Sequence, residues 1–214
     1  MERIRPVTEL SSIQLDALRE VGNIGAGNAA TAFAQFLGRK IDMTVPKVNI
    51  MELSEVPELY GGADVAVIGI TLRVLGEAPG HMLFLLDRSS ARKLISVLGL
   101  GQVGTTFTEM EISALKEIVN ILSGSYLNAF NQMTGFSMLQ SVPAFAMDMA
   151  GAILGTFMVE FGLMGDHALL VETTFHVDED EISGNFFLIP GQGSLDSIIS
   201  ALGLGAYYDG NSPG

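Results

Sequence analysis

Hydrophobic residues recur at helical spacing in two long stretches and at strand spacing in several short ones. Between Ser11 and Leu37, the small or apolar positions Leu18, Val21, Gly22, Gly25, Ala29, Ala32 and Phe36 share one side of a helix. At about 100° per residue, Asp16, Glu20, Asn23 and Gly27 gather on the other side, within about 60° of one another. The pattern returns between Thr108 and Thr134, with Leu115, Ile118, Val119, Leu122, Tyr126 and Met133 set against Ser113, Glu117, Asn120 and Gly124. Gly38 and Gly135 are placed to end these helices, and Thr108 followed by Glu111 is a capping-box signature. The β-branched runs Lys40–Leu53 and Ser137–Ala146 predict strands, and the spans 64–75 with 79–87 and 167–177 with 184–190 predict hairpins. Each half reads helix, strand, short helix, strand, strand, helix.

The two halves are copies. Asp16-x3-Glu20-x2-Asn23 with a distant Pro46 matches Ser113-x3-Glu117-x2-Asn120 with Pro143, at a constant offset of 97 residues. The same offset pairs Ile24 with Ile121, Gly27 with Gly124, Phe33 with Phe130 and Gly38 with Gly135. The segments Leu94–Gly101 and Ile198–Gly205 also match, at an offset of 104, so the second copy is 7 residues longer between motif and final helix. Asp178–Ser183, with its acidic run, is expected to supply part of that as a longer, solvated hairpin connection. A repeat of this kind sets the architecture. It predicts an α+β fold with a pseudo-two-fold, about six-stranded, mainly antiparallel sheet and the two motif helices packed on it. The expected domain is 1–214, built of repeats at about 11–104 and 108–206.

Composition narrows the function. Over 214 residues, 48% are hydrophobic and 16% charged, which suits a well-buried globular body. There is no Cys, so thiolate metal sites, disulfides and Cys nucleophiles are excluded, in keeping with a cytoplasmic protein. The N-terminal MERIRPVTELSS has no apolar core of a signal peptide. A net charge of −13 with 11 basic residues disfavours nucleic acid and anionic membrane surfaces. The most apolar stretch, Phe145–Met164, carries Asp148 and Glu160 without basic flanks and is expected to be a buried helix, with no membrane insertion.

Chemistry concentrates on the polar face of the repeated helix. Asn is a poor helix former, and Gly inside a helix costs about 1 kcal/mol relative to Ala. Both copies nevertheless keep them, one turn apart, which is expected to serve close approach by another backbone. A neutral amide can orient a water by donating and accepting hydrogen bonds. No phosphate cradle is evident, and no Lys is evidently positioned for one, so phosphate chemistry would need Lys and Mg²⁺ from a partner. Gly22, Gly25 and Gly27 do not have dinucleotide-loop spacing and lie inside a helix. His167, Glu172, His176 and Asp178 could be drawn as a metal site but lack helical or Cys-paired spacing, so no metal ligands are assigned.

With these residues in view, the sequence resembles the CheC branch of the CheC/CheX/FliY group of chemotaxis phosphatases. The motif matches in both copies, and LREVGNIGAGNAA (18–30) and NILSGSYLNAF (120–130) are similar to that branch throughout. Two motifs set it apart from CheX, and the length, without an added flagellar-switch domain, sets it apart from FliY. The resemblance implies hydrolysis of the aspartyl phosphate of a CheY-type response regulator. Glu20 and Glu117 would pair with the regulator's active-site Lys, and Asn23 and Asn120 would place the attacking water. Asp16, Ser113, Gly27 and Gly124 would support the sites, and Pro46 and Pro143 would turn the chain. No cofactor is expected on the chain itself, with Mg²⁺ held by the CheY partner. CheD, a receptor deamidase, is a further implied partner, and a monomer is expected because the internal repeat already completes the sheet. The alternative is a binding module that sequesters phosphorylated CheY or regulates CheD.

Overall fold

The structure is a computed structural model that describes residues 10–38, 40–44, 48–100, 104, 106–160, 167–177 and 180–205. Pro46 and Asp178 lie outside the described residues. Helix α1 spans Ser12–Leu37 and is followed by strands β1 (Asp42–Thr44) and β2 (Val48–Glu52), a 3₁₀ helix (Leu53–Tyr60), β3 (Ala66–Leu75), β4 (Gly80–Asp87) and α2 (Arg88–Val97). The second half repeats the order with α3 (Glu109–Thr134), β5 (Leu139–Gln140), β6 (Ala144–Met149), α4 (Ala150–Glu160), β7 (His167–Val177), β8 (Asp180–Pro190) and α5 (Ser194–Ala201).

The long helices start and stop for local reasons. Ser11 caps α1 and Thr108 caps α3, each in a full capping box, with Gln14 and Glu111 answering from the third helical position. The Ser11–Gln14 box escaped the sequence reading. Gly38 (φ 63°) and Gly135 (φ 75°) close the helices in the left-handed conformation.

The sheet has eight strands in the order β1-β7-β8-β4-β3-β5, with β2 also on β7 and β6 also on β3. β1 and β2 follow one another along β7, from Asp42↔His176 to Glu52↔His167, and β5 and β6 do the same along β3. Eight segments thus form six ranks, as expected, but each run read as a single strand holds two segments. In the second half the break is Ser141–Pro143, where a buried Pro lacks the N–H a ladder needs.

Every described strand pair is antiparallel, and the halves are interleaved. The first half's β1 and β2 flank the second half's hairpin, and the second half's β5 and β6 flank the first half's. Across the middle, β4 pairs β8 from Gly80↔Pro190 to Leu85↔Asn185. The β7–β8 hairpin pairs as far as Val177↔Asp180, whereas β3–β4 pairs only to Val74↔Gly80. The second hairpin therefore has the longer strands, and Asp180–Ser183, expected in the connection, lie within β8.

Alternation along the strands divides the core. Ile68, Ile70, Met82, Phe84, Phe186 and Leu188 join Leu18, Val21, Leu115 and Ile118 of α1 and α3 on one face. Val67, Leu83, Leu85, Phe187 and Ile189 join Leu53 and Val56 of the 3₁₀ helix and Ile153 and Leu154 of α4 on the other. Covered on both faces, β4 reads as an unbroken apolar run. The stretch Phe145–Met164 is not one helix. It crosses from β6 into α4, and none of the described helices is long and apolar enough to span a membrane.

The helices α1 and α3 also pack on each other. Gly25 lies so close under Tyr126 that a Cβ there would overlap the ring. Tyr126 stacks on Phe186 at 5.0 Å and shares a 3.2 Å hydrogen bond with Thr173. Phe36, placed on the buried side by its spacing, is 52% exposed, while Leu37 beside it packs against the core. Phe33, a turn earlier, is buried against Phe175 with ring centroids 5.9 Å apart.

Candidate active site

With their apolar stripes turned to the sheet, α1 and α3 leave the polar face of each motif outward. Asp16, Glu20, Asn23 and Gly27 are all exposed on α1, as are Ser113 and Glu117 on α3, while Asn120 and Gly124 are half-buried. Asn120 is more enclosed because the second half builds a cleft over it. Ser113, Lys116, Glu117, Asn120, Gln140, Ser141, Val142 and Pro143 line a groove of about 350 Å³. Four members of the sequence motif, Ser113, Glu117, Asn120 and Pro143, therefore converge on one concavity.

The wall of this groove is held by a chain of polar contacts. At the end of α3, the Asn131 side chain accepts from Met138 N at 2.9 Å and donates to Met138 O at 3.1 Å. Ser137 N donates to the Glu77 carboxylate at 2.8 Å. β5 then pairs with β3, and beyond it Ser141 Oγ accepts from Arg73 N while Ser141 N donates to Arg73 O, both at 2.9 Å. These bonds fix Gln140 over the helix, where its Nε2 donates to both Oδ1 and the backbone O of Asn120 at 3.4 Å. Gly124 makes room for this, because a Cβ there would lie 3.0 Å from Gln140 Nε2. Val142, 84% exposed, forms an apolar rim.

Within the chain, a side-chain amide approaches Gly124, and no described residue lies within 4 Å of a Cβ at Gly27. A lysine also stands at the site, since Lys116 lines the groove beside Glu117. Its counterpart Arg19 is engaged by Asp16 in an exposed 2.9 Å ion pair, and the second copy has Ser113 in place of that carboxylate. Lys116 and Gln140 escaped the sequence reading, and Val142 entered it only as the repeat partner of Val45. The signal available was divergence between copies, since Gln140 stands 97 residues after Met43.

Other candidates do not assemble. Gly22, Gly25 and Gly27 lie within α1, not in a loop. His167 and His176 lie near opposite ends of β7, and among the described residues no three His, Asp or Glu gather closely enough for a metal ion.

Comparison with known proteins places these elements in a lineage. The sequence model of the CheC-like family matches residues 13–50 and 110–147, which contain both motif helices and the strands after them. The CheY-P phosphatase CheC of Bacillus subtilis is 39% identical over 197 residues, 89% of this chain and 94% of that protein. The flagellar motor switch phosphatase FliY of the same bacterium is 31% identical over 126 residues, 57% of this chain and 32% of that protein. The crystal structure of Thermotoga maritima FliY shares the fold, with a TM-score of 0.71 at 18% identity over 92% of this chain and 99% of that one.

Proposed function

Because this chain belongs to the CheC-like family, we propose that it hydrolyses the aspartyl phosphate of a CheY-type response regulator, using the Glu/Asn faces of α1 and α3 as two related sites. The observation that carries this reading is the convergence of Ser113, Glu117, Asn120 and Pro143 on one groove, in a chain 39% identical to a CheY-P phosphatase.

In the proposed reaction, the exposed helix face enters the regulator's phosphorylation pocket, which an open α/β sheet places at the carboxyl ends of its strands. Glu117 and Glu20 meet the regulator's active-site Lys. An exposed ion pair is worth about 0–1 kcal/mol, but desolvation on docking makes it a stronger determinant of register. Asn120 and Asn23 hold a water in line with the P–O bond to the aspartyl carboxylate. The water oxygen bonds to phosphorus, the carboxylate leaves with the bonding pair, and inorganic phosphate departs. A neutral amide suits this role, since it orients the water without placing a charge beside an anionic transition state. Mg²⁺ on the partner would neutralise the phosphoryl oxygens. Asp16, Ser113, Gly27 and Gly124 support the helix faces, and Pro143 sets the groove wall, with Pro46 its counterpart. We place this activity in the cytoplasm, on one domain made of both repeats acting as a monomer, and CheD would be a second partner rather than a substrate.

A binding module that only sequesters the phosphorylated regulator would use the same face, and stoichiometry separates the two. At one tenth the regulator concentration, the chain is expected to accelerate phosphate release through many turnovers. A protective effect that saturates at one regulator per site would replace catalysis with sequestration.

A further inference from the structure

The two motif copies are not equally prepared. In the second, Gln140 lies over Gly124 and its Nε2 donates to Asn120 Oδ1 and O, each at 3.4 Å. In the first, the position of Gln140 is Met43, which has no donor and packs against the hydrophobic core. Over Gly27, no described residue lies within 4 Å of a Cβ.

We infer that Gln140 is a positioning residue for Asn120, holding its amide in the orientation that receives the attacking water. This rests on the function proposed above. An Asn on an exposed helix face samples several rotamers and can turn its amide over, and only some of those states present the correct atoms. A donor fixed on Oδ1 selects one state. The amide oxygen has two lone pairs, so Gln140 occupies one and leaves the other for a water, while Nδ2 remains free to donate outward. The long three-centre contact is a weak bond in itself, but its donor is fixed by β5 pairing, by the Asn131 clamp on Met138 and by Ser141 on Arg73. The backbone of the groove wall, not the bond alone, supplies the preorganisation. Among the described residues no such fixed amide lies over Asn23, so on this reading the docking partner orders that site.

The test isolates the second site with Asn23→Ala and measures steady-state phosphate release from acetyl-phosphate-charged CheY with Mg²⁺. In that background, Gln140→Met, which keeps the length but removes the amide, is expected to lower kcat about five- to ten-fold with KM nearly unchanged, the size expected for loss of one orienting hydrogen bond. Gly124→Ala leaves Gln140 in place but crowds its Nε2, and is expected to reproduce the kcat loss. Thermal melts establish that both variants fold. A purely structural role for Gln140 would lower Tm or raise KM and spare kcat. If the Asn23→Ala protein is active and its kcat survives both substitutions, the role of Gln140 is refuted while the proposed function stands. If the folded Asn23→Ala protein is inactive while the wild type is active, the second site is not catalytic and the role of Gln140 is refuted while hydrolysis at Asn23 stands; an inactive wild type refutes the proposed function itself.

Discussion

Replacing Gly25 by Ala should destabilise the protein even though it improves the helix. An added Cβ would overlap Tyr126 Cδ1 and lie 2.9 Å from Cε1 and 3.1 Å from the main chain of the same residue. The ring cannot swing aside cheaply. It is 2% exposed, stacked on Phe186 at 5.0 Å, and shares its hydroxyl with Thr173 at 3.2 Å. Crowding of the Tyr126 main chain presses on the backbone of α3 itself, so relief requires the two helices to separate. Overpacking of a tight core costs about 1–3 kcal/mol, and a clash against pinned backbone belongs at the upper end. The Gly-to-Ala gain in a helix interior is about 1 kcal/mol. The expected net loss is about 2 kcal/mol, or roughly 4–8 °C in Tm for a chain of this size. Gly27→Ala, two residues along the same helix, is the matched control. Its Cβ meets nothing within 4 Å, so only the helix gain of about 0.5–1 kcal/mol remains. Urea and thermal denaturation followed by circular dichroism would read both. Opposite signs are expected, with unchanged m-values. A Gly25→Ala protein as stable as the wild type would refute the close-packed helix pair that sets the two motif faces beside each other.

Thr108→Ala should cost about 1–2 kcal/mol, because it removes the Thr108 hydroxyl contacts to Glu111 N and Oε2 and leaves a Glu111 carboxylate that is 5% exposed with one partner fewer; a Tm unchanged within a degree would contradict this. Burial pushes the Tyr126 hydroxyl up from its usual 10.0 to about 12, against a lowering by its Thr173 hydrogen bond. The neutral phenol is thus favoured in the fold, and the unfolded chain loses its proton first. Stability is full below about pH 10 and falls as pH rises toward 12, by up to about 2–3 kcal/mol from this group. Denaturation at a series of alkaline pH values should show the loss, and Tyr126→Phe should flatten that part of it. Lys116→Ala should raise KM for the phosphorylated regulator about two- to five-fold, since the groove loses its cation beside Glu117; an unchanged KM would remove Lys116 from the docking face.

Much of this fold was legible because the repeat reports it twice. The ends of α1 and α3 follow from Gly38 and Gly135 and the start of α3 from the Thr108–Glu111 box, whose cap chemistry is local, and both hairpins follow from apolar runs of strand length, continuous where the sheet is covered on both faces. The exchange of strands between halves was not legible. β1 and β2 could have paired with their own β3 by pattern alone, and nothing local distinguishes that from pairing with β7. Phe145–Met164 misled because β6 and α4 are both apolar, and a run of that kind does not reveal where period two becomes period 3.6. At the candidate site, the faces of Glu20, Asn23, Glu117 and Asn120 came from helical geometry. The groove did not, because Gln140 ends β5 and Val142 lies in the break after it, and their placement depends on the Asn131 clamp and on pairing with β3 in the other half.

The central claim is that the Asn of each motif carries hydrolysis. Its most direct test is release of inorganic phosphate from acetyl-phosphate-charged CheY with Mg²⁺ and substoichiometric protein, comparing the wild type with Asn23→Ala, Asn120→Ala and the double variant. The account predicts acceleration by the wild type, a partial loss in each single variant, and release at the regulator's own rate in a folded double variant. A double variant that accelerates release as well as the wild type would contradict it.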